Sequence, residues 1–145
     1  MPSNATQIIV LPDPAWVERS STIGVLENVG WTVLDVQAPL ESKAVCAALV
    51  SAELTPPLLV IAHGDACLLL PAVALSLRTQ HRDTAGYVLV DPDAPQSTDI
   101  WPEAPVFVVS TSDDAGTSLR GWEIVSAPGG IPDGVAEVAA RVLEQ

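Results

Sequence analysis

The chain has 145 residues, 48% of them hydrophobic, and a formal net charge of -12 that includes only six lysines and arginines. With Lys43 and five singly scattered arginines there is no basic stripe to neutralise phosphates, so nucleic acid and anionic membranes are poor partners. The length suits one domain, residues 1–145, with a core closed without disulfides or metal, and the apolar runs fall well short of the ~18 residues of a membrane span.

Taken in chain order, Ile8 to Leu11 is a short apolar, β-branched run closed by Pro12-Asp13-Pro14, which predicts a buried strand entering a loop. A helix is expected from Trp16 to Leu26, ended by the turn signal Asn28-Val29-Gly30, and a strand from Trp31 to Val36. Glu41 to Leu54 predicts a helix, stopped by Pro56-Pro57, and Leu58 to Ala62 the next strand. After His63-Gly64-Asp65 comes an apolar helical stretch to about Arg78, in which Pro71 predicts a kink or restart. Strands are then expected at Tyr87 to Val90, Val106 to Val109 and Glu123 to Val125, and a final amphipathic helix carries Val135, Val138, Ala139 and Val142 on one face. Strands and helices alternate, which implies α/β architecture. The expected form is a three-layer sandwich around a mostly parallel six-stranded sheet, with any ligand site at the carboxyl edge of the strands.

The N-terminal residues lack a basic region and a long apolar core, so no signal peptide is expected and a cytoplasmic location follows by default. Cys46 and Cys67 form no CxxC or CxxH pairing and read as reduced, buried thiols; neither a metal site nor a cofactor is expected.

The segment Leu58 to Ala66 resembles the strand and nucleophile elbow of the α/β-hydrolase superfamily, whose motif is small-x-nucleophile-x-small. In the one register that fits, Ala62 and Ala66 are the small residues and Gly64 stands where Ser, Cys or Asp belongs. Gly86 to Pro92 is similar to the family's sixth strand, and Ala104 to Asp114 to the seventh with its acid-bearing loop, which puts Asp114 at the triad-acid position. The loop that would deliver the histidine reads Ala127-Pro128-Gly129-Gly130-Ile131-Pro132, and no histidine follows His81. Ile9 to Trp16 resembles the third strand and oxyanion loop, but with Pro12-Asp13-Pro14 in place of His-Gly, and proline cannot donate an N–H to an oxyanion. The resemblance implies a truncated family member without the first two strands or a cap domain, its sheet in the order 4-3-5-6-7-8 in family labels.

A serine-type mechanism needs a nucleophile, a base and an orienting acid, and only the acid position is filled, so serine-hydrolase activity is not expected. His63 lies beside the elbow as an acid or base for neutral pH; the family implies a structural alternative, packed and hydrogen-bonded beneath the oxyanion loop. Asp65, Asp91, Asp93 and Asp114 are expected near the carboxyl edge, either solvated in loops or, if they gather, close enough to supply a general base or a divalent-metal site, though their spacing matches no EF-hand. Asp91-Pro92-Asp93 also resembles the Asp-x-Asp of haloacid dehalogenase-class phosphatases, but no lysine follows it. Trp16 and Trp101 are expected in the two loops flanking the cleft, as ligand-stacking aromatics or core filling.

Two expectations about function follow. The first is a binding protein that holds a small apolar molecule or a protein partner at the former active site, through Pro12, Asp13, Trp16, His63, Gly64, Asp65, Asp91 and Trp101. The second is a non-hydrolytic enzyme, an isomerase, epimerase or cyclase, with His63, Asp65, Asp91 and Asp114 as candidate catalytic groups. The Ala-, Val- and Asp-rich composition hints at a bacterial biosynthetic setting, and apolar surface left bare by the missing strands suggests a homodimer.

Overall fold

The computed structural model of the chain describes residues 6–13, 16–39, 41–52, 54–90, 106–110, 123–126 and 130–143. Along the chain run β1 (Thr6–Val10), α1 (Arg19–Val29), β2 (Val33–Asp35), α2 (Ser42–Val50), β3 (Leu54–His63), a 3-10 segment (Gly64–Leu69), α3 (Leu70–Thr79), β4 (Thr84–Val90), β5 (Val106–Ser110), β6 (Glu123–Ser126) and α4 (Ile131–Leu143). The strands lie side by side in the order β2-β1-β3-β4-β5-β6, every neighbouring pair parallel.

Strand side chains alternate between two faces, and the core divides accordingly. Ile9, Leu11, Leu58, Val60, Ala62, Tyr87, Leu89, Val106 and Val108 pack with Val45 and Leu49 of α2 and with Leu70, Val73 and Leu77 of α3. Their neighbours Ile8, Val10, Leu59, Ile61, Val88, Val90, Phe107 and Val109 pack with Leu26 of α1 and with Ile131, Val135, Val138 and Ala139 of α4. Strands buried on both faces explain the uninterrupted apolar runs in the sequence. No described helix is long and apolar enough to cross a membrane.

Several boundaries differ from the sequence expectation. Trp16 precedes its helix, which begins at Arg19. β3 runs through Pro56 and Pro57 instead of starting after them, and its pairing is irregular on both sides there, shifting between Thr6 and Ile8 on β1 and between Leu58 and Leu59 on β3. Prolines lack the ladder N–H, so the strand passes them with a break in register. Pro71 sits in the first turn of α3, where its missing N–H would be unpaired anyway; the helical stretch restarts there after the 3-10 segment. Arg82 closes the sequence between α3 and β4 by donating from Nη1 to the Leu49 carbonyl at 2.8 Å and from Nη2 to the Ala52 carbonyl at 3.1 Å, which caps the end of α2.

Tyr87, the single tyrosine of the chain, is 1% exposed within the α2–α3 side of the core. Burial raises its pKa above 10.0, opposed in part by a hydrogen bond with Thr84, whose Oγ1 lies 3.4 Å away. A raised folded pKa means that the folded state holds the proton more tightly, so this stabilisation is fully present below the unfolded value and is lost as pH climbs past it. The tyrosinate absorbance should therefore appear only above the range of a free phenol, together with unfolding. Tyr87→Phe should shift the alkaline unfolding midpoint upward, measured by circular dichroism against pH.

Candidate functional site

Strand order fixes where a site can form. From β1 the chain passes through α1 to β2 on one side, then crosses back through α2 to β3 on the other. The loops after β1 and β3 thus lead to helices on opposite faces, α1 on one and α3 on the other. In open parallel sheets, such a reversal opens a crevice at the carboxyl ends of the two strands.

Three side chains named from sequence meet at this point. His63 is the last residue of β3, continues the alternation of Leu59 and Ile61, and so faces the α1–α4 side. Its Nδ1 lies 2.8 Å from Oδ2 of Asp13, three residues beyond the end of β1. Trp16 stacks on the imidazole, ring centroids 5.0 Å apart and planes inclined by 5°. Side-chain exposure is 5% for Asp13 and 20% for His63, and Trp16 as a whole is 5% exposed. Asp13 is thus a buried acid with a hydrogen-bonded partner, and Trp16 is part of the core as well as of the site.

Local structure holds this cluster in place. The Leu11 amide donates to the Ile61 carbonyl at 3.0 Å, extending the β1–β3 ladder by one step, and the Trp16 amide donates to the Asp13 carbonyl at 3.1 Å. Arg19 binds the same corner from α1. Its Nε donates to the Leu11 carbonyl at 3.0 Å, its Nη2 to the carbonyls of Val10 at 3.0 Å and Val36 at 3.3 Å, and its Nη1 pairs with Asp35. The guanidinium joins the carboxyl ends of β1 and β2 to the start of α1. Sequence reasoning missed this residue, although a signal existed: a cation at a helix N-terminus opposes the macrodipole and calls for another reason to be there.

Gly64 follows His63 with φ 51°, in the left-handed region, and is buried. Ala62 and Ala66 on either side are both fully buried, so the strand-to-helix bend is tight and carries no side chain at its apex. A residue with Cβ is disfavoured at such angles by about 1–2 kcal/mol, whereas glycine adopts them freely.

The indole Nε1 of Trp16 is buried without a hydrogen-bond partner. Trp31 shares this property just before β2, at the opposite end of the sheet, so an unpartnered buried indole does not by itself mark a site. Pro12 is buried between Leu11 and Asp13. The backbone of Asp65 continues from Gly64 into the 3-10 segment, and its side chain lies outside the described residues, as do Asp91, Asp93, Trp101 and Asp114. The expected gathering of carboxylates around Asp65, Asp91 and Asp114 therefore has no described counterpart. No group of three His, Cys, Asp or Glu able to hold a metal occurs among the described residues. Cys46 is a free, partly buried thiol whose Sγ lies 3.7 Å from the Ala72 carbonyl, on the other face of the sheet.

Replacing Arg19 by Leu leaves three strand-end carbonyls without their charged donor. The expected cost is about 2–4 kcal/mol, seen as a lower urea midpoint at unchanged slope. Arg19→Lys should recover less than half of it, because an ammonium cannot span the same carbonyls as a planar fork. Compared with protein-family models, curated proteins and solved structures, the chain matches none of them.

Proposed function

We propose that this chain is an α/β-hydrolase-like protein without serine-hydrolase chemistry, which binds a small apolar ligand at the carboxyl ends of β1 and β3. Support for the likeness comes from the strand order β2-β1-β3-β4-β5-β6, which corresponds to 4-3-5-6-7-8 in that family's labels. A tight bend directly after β3, its apex a glycine at φ 51° between two small buried residues, adds to it. A hydrolase attacks from that apex, and Gly64 has nothing to attack with.

The observation that carries the binding reading is the Asp13–His63–Trp16 cluster at the strand reversal. An aromatic stack set over a hydrogen-bonded polar pair is the mixture that small-molecule sites use, apolar area for affinity and few polar groups for orientation. A second reading, a non-hydrolytic isomerase, epimerase or cyclase, is favoured by the 2.8 Å contact of Asp13 with His63. A carboxylate that fixes one ring nitrogen frees the other for acid–base work.

Two measurements test the proposal. A fluorophosphonate probe should label no residue of the native protein, and stoichiometric labelling would contradict the missing nucleophile. A panel of neutral, flat aromatic fragments should shift the indole resonance of Trp16, assigned by its loss in Trp16→Phe, together with the ring resonances of His63. Fragments that leave both unmoved, or that perturb scattered surface residues only, would refute a ligand site there.

A further inference from the structure

We propose that His63 offers Nε2 to the crevice as a hydrogen-bond acceptor, and that the ligand is an aromatic or enolic compound whose hydroxyl donates to it. The inference rests on the binding reading above and names the chemical class of the ligand. An ionised carboxylate only accepts hydrogen bonds, so Nδ1 of His63, 2.8 Å from Asp13 Oδ2, carries the hydrogen. In a neutral imidazole the other nitrogen is then a bare acceptor. Asp13 thus acts as a positioning residue that sets the tautomer.

Nε2 has no hydrogen-bond partner among the described residues, and the side chain remains 20% exposed although Trp16 covers one ring face. A ligand group that satisfies Nε2 must bring a hydrogen. Among neutral groups attached to a flat apolar body, a hydroxyl does so. Carboxylates and phosphates are disfavoured twice. They bring no hydrogen to Nε2, and the chain's net charge of -12 repels them.

The test uses 15N-labelled full-length protein with 2-naphthol and its methyl ether, 2-methoxynaphthalene, as probes. In mildly alkaline solution, Nε2 of His63 should resonate as an unprotonated ring nitrogen and Nδ1 as a protonated one, with His81 as the exposed internal comparison. 2-Naphthol should shift His63 and Trp16 and bind at least about tenfold more tightly than the ether. Asp13→Asn, checked for folding by circular dichroism, no longer fixes the tautomer and should reduce this preference to less than about threefold. A protonated Nε2, equal affinities for the two probes, or a preference that survives in Asp13→Asn would overturn the proposal. If both probes shift Trp16 equally, only the hydroxyl requirement fails; if neither does, the ligand site fails with it.

Discussion

A carboxylate with 5% of its surface in contact with solvent has lost most of its hydration, and the fold must replace it. Asp13 is that group. One replacement is the imidazole of His63, 50 residues away in sequence and on the neighbouring strand. The pairing ties the loop after β1 to the end of β3, and the Trp16 ring lies over it, so the corner where the strand order reverses is closed by a polar contact inside an apolar wall. In a low-dielectric setting a satisfied hydrogen bond is strong and a lost partner is costly, so the same contact gives rigidity and chemical potential together.

Arg19 makes this corner possible from the other side. Carbonyls at the ends of parallel strands lose their ladder partners as the chain turns away, and water cannot serve those that lie beneath a helix. One guanidinium with five donors in a rigid fork serves three of them and neutralises Asp35 as well. The division of labour is clear from the two charged groups involved. Arg19 holds backbone and has each of its three nitrogens engaged, whereas His63 is held at one nitrogen and has no protein partner at the other among the described residues. The first arrangement suits structure; the second suits an encounter with something else.

The alternation of elements was legible in the sequence because the apolar stretches of β1, β3, β4 and β5 are buried on both faces and therefore read as unbroken runs, while prolines and glycines punctuate the turns. Pro56-Pro57 misled, since a strand accepts prolines where its register breaks, and a propensity argument has no access to register. Trp16 misled in another way: its helical offset to later apolar residues fits a face of α1, yet the residue lies in the loop and uses its area on His63. Asp13, Trp16 and His63 were each recognisable as candidates beside a strand end. Their mutual pairing was not, because it depends on which strands are neighbours. Neighbour relations between β1 and β3 are set by a crossover of more than forty residues, counted from Val10 to Leu54, and local pattern says nothing about its path.

Register then converts topology into chemistry. Val10 is paired with Ile61, so Asp13 and His63 stand three and two residues beyond one rung of the ladder. Side chains on a strand alternate between faces, and a slip of one residue between β1 and β3 would turn His63 toward the α2–α3 side, away from Trp16. The rung is protected because Ile8, Val10, Leu59 and Ile61 fill one core while Ile9, Leu11, Val60 and Ala62 fill the other; a slip would force both sets to exchange places. Precision at the site is therefore a by-product of packing on both faces of the sheet. No loop has to be rigid on its own account to hold the imidazole in place, and the bend after β3 can end in a bare glycine without loosening it.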